Sequence, residues 1–299
     1  MDVLPGPPDR EGPLAWVPGG SFLMGSEDFY PEERPVRRVE VDGFWIDRHP
    51  VTVAEFWEFV SATGHKTVAE RPPDAADFPG VDPAKLVPGS LVFHRTPGPV
   101  DLNDYFAWWD YVPDACWGRP EGPGSSVEGR GDHPVVHVAY EDAAAFAAWA
   151  GKDLPTETEW ECAARGGLDG AAFTWGDDDV QMIRPLANTW QGEFPWRNSE
   201  LDGYQGTSPV GSFPPNGYGL YDMAGNVWEW TTDFFTAPEP AAPCCGPQSS
   251  TLEMPRRVIK GGSHLCAPDY CLRYRPAARQ AETVDTSTSH IGFRCVVRP

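Results

Sequence analysis

The sequence predicts one domain of mixed α+β type with little regular secondary structure. Glycine and proline are abundant, at 31 and 33 of 299 residues, and both residue types favour turns and irregular loops. Thirteen tryptophans provide large flat rings that fill core space where regular packing is scarce. Apolar periodicity is confined to short segments, which predicts a few small strands and helices around one core.

The first predicted elements are an N-terminal arm and two strand regions. Residues 1–13 are expected to form a flexible arm, which leaves residues 14–299 as a single domain. Alternation of apolar and small residues in WVPGGSFLMG at 16–25 predicts a strand, a turn and a second strand. The segment 37–46 predicts one further strand, with Val39 and Val41 on the same face.

Three helices and two C-terminal strand regions are predicted further along the chain. Thr52 and Glu55 have the spacing of a capping box, and Gly64 marks the end of this first helix. The remaining predicted elements are helices at 141–150 and 156–166, strands at 257–260 and 291–297, and loops at 71–100, 117–132 and 236–255.

The net charge of −21 restricts the classes of partner that the chain can bind. An acidic chain repels phosphate backbones, which excludes nucleic acid, whereas cations such as Ca²⁺ and basic peptides are favoured. The N-terminus has neither a basic start nor an apolar core, so it does not predict a secretory signal. No stretch is apolar enough to span a membrane, and we therefore expect a cytoplasmic protein.

Two of the seven cysteines are candidates for chemistry. Cys266 and Cys271 stand five positions apart in the run GGSHLCAPDYCLRYR at 261–275. An odd number of cysteines argues against a fully paired disulfide framework. A thiolate is a nucleophile, a redox centre and a soft metal ligand, so the pair indicates chemistry done by sulfur.

Three interpretations of this pair stay open on spacing alone. A disulfide could close so short a loop, although a reducing compartment disfavours it. A four-sulfur zinc site would need Cys244 and Cys245, but adjacent cysteines chelate one ion poorly. Two thiolates alone suit Cu(I), a soft ion that accepts low coordination numbers and leaves room for a substrate thiolate.

Two other stretches, at 188–204 and 216–230, place side-chain oxygens beside glycines. Hard cations such as Ca²⁺ take such mixed ligand sets, but Asn, Asp and Gly also favour tight turns without any ion. By spacing alone the turn interpretation is favoured. The chain contains no motif of the common hydrolases, kinases or nicotinamide-dependent enzymes.

Several sequence runs between Trp16 and Arg298 together indicate a family. They are PGGSFLMG at 18–25, HPVVHV at 133–138, LPTETEWE at 154–161, NTWQGE at 188–193, PNGYGL at 215–220, GNVWEW at 225–230 and IGFRC at 291–295. With the cysteine run at 261–275, they resemble the formylglycine-generating enzymes, or sulfatase-modifying factors. The paired cysteines are the part of the resemblance that is specific to the generating enzymes.

The resemblance implies a fold, a reaction and a set of partners. The fold is the C-type-lectin-like fold of the formylglycine-generating enzymes, of α+β class with low regular content. The reaction is the copper-dependent, aerobic oxidation of the cysteine in a Cys-x-Pro-x-Arg sulfatase peptide to Cα-formylglycine, which activates type I sulfatases. The implied partners are an unfolded sulfatase polypeptide, O₂ and an external reductant, and we expect a monomer that binds no nucleic acid or membrane.

The resemblance also assigns roles to particular positions. Cys266 and Cys271 would hold Cu(I), and Cys271 would be the redox partner. The remaining implied residues are Ser263 and Tyr270 as catalytic groups, and Trp228, His290 and Arg273 as substrate-binding groups. Two calcium sites are implied as well, one at Asn188, Thr189, Asp202 and Tyr204, and one at Asp222, Met223, Gly225 and Val227.

Some positions depart from the family pattern, and two other functions are compatible with parts of the sequence. Ala267 and Pro268 stand where animal members carry His and Arg, and His290 stands where many relatives have Asn. A sulfoxide synthase of the ergothioneine-pathway type would need an extra helical domain with an iron motif, which is absent from this sequence. The alternative function is a non-catalytic, calcium-binding, lectin-like interaction module.

Overall fold

Three short α-helices and five small sheets form the regular structure of residues 12–77, 79–236 and 255–299, which the computed structural model describes. The helices are α1 (Val53–Thr63), α2 (Tyr140–Trp149) and α3 (Glu157–Arg165). The strands are β1 (Leu14–Val17), β2 (Gly20–Met24), β3 (Arg37–Val41), β4 (Phe44–Asp47), β5 (Gly89–Phe93), β6 (Trp109–Pro113), β7 (Gly192–Glu193), β8 (Arg197–Asn198), β9 (Trp228–Phe234), β10 (Arg256–Lys260), β11 (Arg279–Thr283), β12 (Ile291–Gly292) and β13 (Val296–Val297).

The two larger sheets bring distant parts of the chain together. In the four-stranded sheet the order is β11-β10-β9-β12, and β12 pairs with β9 in parallel while the other pairs are antiparallel. In the three-stranded sheet both β1 and β13 pair with β4. The first and last strands of the chain therefore share one sheet. The hairpins β2-β3, β5-β6 and β7-β8 form the remaining sheets.

The three predicted helices are confirmed, because their start and stop signals are local. In α1 the Thr52 side chain accepts a hydrogen bond from the backbone N–H of Glu55, and Gly64 ends the helix in the left-handed region at φ 69°. Thr156 and Glu159 form the same capping box at the start of α3. The helix α2 lies one residue nearer the N-terminus than predicted, since Trp149 is its last residue.

Two sequence predictions of secondary structure are corrected. The single strand expected at 37–46 is divided into β3 and β4, which belong to different sheets. The break lies at Gly43, where an added Cβ would approach the Trp16 ring to 2.3 Å, so the chain must turn there without a side chain. The segment 71–100 is not entirely loop, because β5 pairs with β6 inside a region rich in turn residues.

Most of the predicted arm and most of the loop at 236–255, with Cys244 and Cys245, lie outside the described residues. The division of the chain into an arm and one domain therefore stays a prediction. Within the described ranges, no helix is both long enough and apolar enough to cross a membrane.

The hydrophobic core of the described residues consists of three clusters, two of which include residues of the cysteine loop. The largest cluster lies between α1, α2 and the four-stranded sheet, and it contains both Cys266 and Cys271. A second cluster packs α3 against β1, β2 and β4. A third, mostly aromatic cluster includes Trp108, Trp190 and Leu265 of the cysteine loop. The loop at 261–275 is thus held from two sides by packed side chains.

Buried charges link α3 to the four-stranded sheet. Glu161 lies 2.9 Å from the ammonium of Lys260 and 2.7 Å from the guanidinium of Arg165, and all three side chains are almost fully buried. Burial alone would raise the pKa of Glu161, but the two neighbouring cations hold it below the ordinary value. This cluster stabilises the fold only while all its members are charged.

We expect Glu161→Gln to lower the free energy of unfolding by about 3–5 kcal/mol at neutral pH, because it leaves two buried cations without their shared carboxylate. The folded-state pKa of Glu161 lies below the ordinary value of 4.5, so its contribution is complete above that pH and is lost as pH falls through the lower folded value. Denaturant titration at neutral and acidic pH measures both effects.

The matched control is Glu193→Gln, which removes an exposed carboxylate paired with Arg197. We expect it to change stability by less than about 1 kcal/mol at either pH. Similar losses in the two variants would contradict a special role for the buried cluster.

Candidate active site

Cys266 and Cys271 face each other in the loop that follows β10. Their sulfur atoms are 3.1 Å apart, and each residue is only 1 % exposed. A disulfide bond measures about 2.05 Å, so the two sulfur atoms are not joined as a cystine. Two soft donors at this separation could hold a soft metal ion between them.

The loop adopts this shape because its glycines allow it to fold back on itself. Gly262 has φ 72°, and an added Cβ there would approach the backbone of Arg273 to 2.9 Å. The Cys271 N–H donates to the carbonyl of Ala267 at 2.8 Å, and the Trp190 N–H donates to the carbonyl of Cys266 at 3.0 Å. These backbone bonds fix both cysteines independently of any ligand.

Ser263 lies between the sulfur pair and an imidazole. It is fully buried, and its backbone N–H donates to the sulfur of Cys266 at 3.4 Å. Its hydroxyl accepts a bond from the Leu265 N–H at 3.2 Å and lies 3.4 Å from Nδ1 of His290. Ser263 can therefore orient a group that approaches Cys266.

His290 is a buried, neutral imidazole beside this serine. Burial lowers its pKa well below the usual range, and the neighbouring His264 lowers it further. Its Nε2 atom has no hydrogen-bond partner among the described residues, and the Trp109 ring meets its edge with centroids 4.9 Å apart. The backbone of His290 accepts the N–H of Trp228 at 2.9 Å. The structure thus brings three predicted residues, Ser263, His290 and Trp228, to the cysteine loop.

Tyr270 forms an aromatic wall next to Cys271. Its ring stacks on Phe194 with centroids 4.4 Å apart and meets the edge of Trp108 at 5.7 Å. This packing belongs to the third core cluster and holds the ring in one orientation. Its catalytic role stays a prediction.

Arg273 is held by groups that the sequence pattern does not reveal. Its Nη2 atom donates to Glu32 at 2.6 Å, and its guanidinium lies over the Tyr30 ring at 3.7 Å. Its Nη1 atom lies 3.9 Å from the sulfur of Cys271. Glu32 and Tyr30 precede this arginine by more than two hundred residues, so no local spacing links them to the site. Substrate binding by Arg273 stays a prediction.

One cavity, which we call the loop-side cavity, borders the cysteine loop and has a volume of about 380 Å³. Near the loop it is lined by His264, Trp190 and Ser289, and farther away by His133 and Thr207. Burial lowers the pKa of His264 to about 4, and its Nδ1 donates to the carbonyl of Asn226 at 2.9 Å. The imidazole therefore adds a neutral polar group to this cavity.

A second cavity of about 760 Å³, which we call the acidic cavity, has Trp109 in its lining. Its apolar lining includes Leu91, Phe106 and Tyr111. Its charged lining consists of Asp74, Asp110, Asp285 and the ion pair of Glu141 with Arg71. The Oδ1 atom of Asp285 is buried without a hydrogen-bond partner in the described part of the chain. Trp109 also contacts His290, so its indole connects this cavity to the site.

The first set of predicted calcium residues clusters around one carboxylate. Asp202 accepts the Thr189 N–H at 3.1 Å and the Tyr204 N–H at 3.0 Å. Burial raises its pKa, which indicates that its charge is incompletely compensated. The Oδ1 atom of Asn188 is buried and has no hydrogen-bond partner in the described ranges. These oxygens are of the type that Ca²⁺ prefers.

The second set packs directly against the first. Asp222 accepts the Gly211 N–H at 2.8 Å, and burial raises its pKa. A Cβ added to Gly225 would approach the carbonyl oxygen of Asn188 to 2.1 Å, so only glycine fits there. In the described ranges, no group of three or more His, Cys, Asp and Glu side chains is placed so that it could hold a metal ion. Any calcium site here would depend on backbone and amide oxygens, and both sites stay predictions.

Comparison with known proteins connects this site to a family. The model of the sulfatase-modifying factor enzyme 1-like domain matches residues 5–299. A formylglycine-generating enzyme of Mycobacterium tuberculosis is 57 % identical over 96 % of this chain and 98 % of its own length. One from Thermomonospora curvata is 48 % identical over 95 % of this chain and 92 % of its own length.

The fold is shared with solved structures of lower sequence identity. PvdO from Pseudomonas aeruginosa has a TM-score of 0.61 and 26 % identity, and the match covers 95 % of this chain and 93 % of PvdO. The prediction of an α+β formylglycine-generating-enzyme fold with little regular structure is thereby confirmed. With its domain matched over nearly its full length, the chain belongs to the family of sulfatase-modifying factor enzymes.

Proposed function

We propose that this protein oxidises the cysteine of a Cys-x-Pro-x-Arg motif in an unfolded sulfatase polypeptide to Cα-formylglycine. The observation that carries the proposal is the buried pair of sulfur atoms at Cys266 and Cys271, which lie 3.1 Å apart without a disulfide bond. Relatives named formylglycine-generating enzymes support the same activity. A binding module would have no use for two reduced, facing thiols in a preformed loop.

The overall reaction balances only with an external reductant. Conversion of the substrate CH₂–SH to an aldehyde and hydrogen sulfide releases two electrons, while full reduction of O₂ to water consumes four. The other two electrons and two protons come from two thiols of a reductant, and the products are the aldehyde, hydrogen sulfide, one water molecule and the disulfide of the reductant. The enzyme must therefore admit a peptide, O₂ and a reductant to the same site.

The two sulfurs form a donor set that fits Cu(I), because thiolates are the soft ligands that this ion prefers. Cys266 and Cys271 would hold it, and when bound it would supply the one-electron chemistry that O₂ requires. The surrounding groups are suited to a dry site. Trp228, Tyr274 and Ser263 are fully buried, so water has little access to the sulfurs.

The peptide cysteine would be oriented by the groups beside Cys266. The Ser263 hydroxyl and the neutral His290 offer hydrogen bonds, and the Nε2 atom of His290 lacks a partner that a peptide group could provide. Because burial lowers the pKa of His290, it adds no charge next to the thiolates. Trp109 and Tyr270 would shield the reacting carbon from solvent.

The acidic cavity would receive the proline and arginine of the substrate motif. Its rings at Phe106, Tyr111 and Trp109 suit the proline, and the buried oxygen of Asp285 needs a donor that a guanidinium supplies. The acidic surface, with a net charge of −21, would also attract a basic peptide. The substrate would thus be recognised next to Trp109, whose ring contacts His290 of the site.

Calcium would have a structural role in this proposal. The oxygens of Asn188 and Asp202, with Asp222 nearby, would hold it and compensate two buried carboxylates whose pKa values are raised. The Asn226 N–H donates to the Asn188 carbonyl at 2.8 Å, and its own carbonyl accepts the His264 N–H at 3.0 Å. Metal bound there would stabilise the start of the cysteine loop.

We expect copper-loaded protein to convert a Cys-x-Pro-x-Arg peptide to the aldehyde in air with a thiol reductant, and Cys271→Ser to reduce the rate by about 10³-fold or more. The serine removes one of the soft ligands while keeping the side-chain size. Mass spectrometry of the peptide measures the product. Cys162→Ser is the matched control, because burial raises the pKa of that thiol to about 11 and it lies in α3 away from the loop.

The outcomes separate the possible functions. Equal conversion by native protein and Cys271→Ser would contradict the role of the pair. No conversion with copper demonstrably bound would indicate a different substrate. Absence of both conversion and copper binding would favour the calcium-binding interaction module.

We expect Asp285→Asn to lower kcat/KM for the same peptide by about tenfold, because the neutral amide pairs less strongly with the substrate arginine. With a peptide that carries glutamine in place of arginine, the variant and the native protein should differ little. Steady-state kinetics with both peptides measure this coupling. Asp178→Asn, an exposed residue outside both cavities, is the control, and an arginine-independent effect of Asp285→Asn would contradict the assignment.

A further inference from the structure

The contact between Arg273 and Cys271 is the starting point of a further inference. The Nη1 atom of Arg273 lies 3.9 Å from the sulfur, and the side chain is only 4 % exposed. A buried guanidinium next to a sulfur stabilises negative charge on that sulfur. Since sulfur binds a metal ion as thiolate, Arg273 bears directly on how strongly this loop holds a metal.

The position of Arg273 is fixed by the segment at residues 29–33. Glu32 accepts a hydrogen bond from its Nη2 atom at 2.6 Å, and the Tyr30 ring lies 3.7 Å below its guanidinium. The Tyr30 hydroxyl also accepts the N–H of Leu272 at 3.0 Å. The segment at residues 29–33 therefore contacts both the Arg273 side chain and the backbone between Cys271 and Arg273.

In the ion pair of Arg273 and Glu32, the guanidinium is the member that contacts the sulfur of Cys271. One guanidinium nitrogen contacts the Glu32 carboxylate, and another nitrogen contacts Cys271. Glu32 thus lies on the other side of the cation and offsets part of its charge. Cu(I) with two thiolates carries one net negative charge, and a buried charge requires compensation by its surroundings.

We propose that Arg273 is the charge-compensating residue of the cysteine site and that Glu32 sets how much of this positive charge acts on the sulfur. Arg273 thus serves the cysteine pair rather than the substrate peptide. This inference rests on the proposed binding of Cu(I) by Cys266 and Cys271. It adds a residue, Glu32, whose place in the site no sequence motif indicates.

The proposal predicts opposite effects for the two members of one ion pair. Arg273→Gln removes the positive charge and should weaken Cu(I) binding by about tenfold. Glu32→Gln keeps an oxygen that can accept from the guanidinium but removes the opposing charge, so it should strengthen binding by a few-fold up to about tenfold. Arg273→Lys retains the charge without the planar geometry and should fall between the native protein and Arg273→Gln.

The measurement is competition for Cu(I) between the full-length protein and a chromophoric chelator at one fixed pH, without peptide or O₂. Ag(I), a second soft monovalent ion, is titrated in parallel. The matched control is Glu33→Gln, which removes the neighbouring carboxylate from its buried pair with Arg275. It should shift Cu(I) affinity by less than about threefold. Thermal unfolding of each metal-free variant establishes that it is folded.

Opposite shifts in Arg273→Gln and Glu32→Gln, with little change in Glu33→Gln, support the proposal. Weaker binding in both members of the pair would overturn it, because that result indicates loss of packing alone. Unchanged affinity in both, or equal shifts in Glu32→Gln and Glu33→Gln, would overturn it as well. If the native protein binds Cu(I) and converts peptide while these variants match it, the inference fails and the proposed function stands. If the native protein binds neither Cu(I) nor Ag(I), both the inference about Arg273 and the proposed function fail.

Discussion

The buried ion pair between Arg294 and Glu229 is the interaction on which the rest of the structure depends. Both side chains are fully buried, and the guanidinium contacts the two carboxylate oxygens at 2.7 Å each. The same arginine donates to the carbonyls of Tyr221 and Asp47. A chain with so little regular structure must satisfy its backbone carbonyls through side chains, and removal of either partner would leave a buried charge without compensation.

Hydrogen bonds of neighbouring residues connect the Arg294–Glu229 pair to the cysteine site. Glu229 lies in β9 directly after Trp228, whose N–H donates to the carbonyl of His290. Just before β9, Asn226 bonds to Asn188 on one side and to His264 on the other. The predicted calcium segments and the cysteine loop therefore share one asparagine as a direct neighbour. A displacement of the calcium segments would therefore shift the cysteine loop, and the reverse, because packed interiors transmit small displacements.

Sequence patterns predicted the parts of this protein whose causes are local. Capping boxes gave α1 and α3, and the spacing of Cys266 and Cys271 located the sulfur pair within one loop. The parts that escaped prediction depend on contacts between distant segments. Strands β5 and β6 lie among prolines and glycines, and Glu32 reaches Arg273 only after the whole chain has folded. Asp285 is an ordinary loop residue by sequence, and its place in the acidic cavity follows from the β5-β6 hairpin packed beside it.

Several buried polar atoms without hydrogen-bond partners lie near the cysteine loop. In the described ranges, the indole N–H groups of Trp108, Trp109, Trp190 and Trp228 and the Nε2 atom of His290 are buried without hydrogen bonds. Each such group costs about 1–3 kcal/mol of stability. A protein that only needed a core could fill this space with apolar side chains. Open donors beside the sulfur pair suit the proposed peptide substrate, because an extended peptide carries acceptors at every residue.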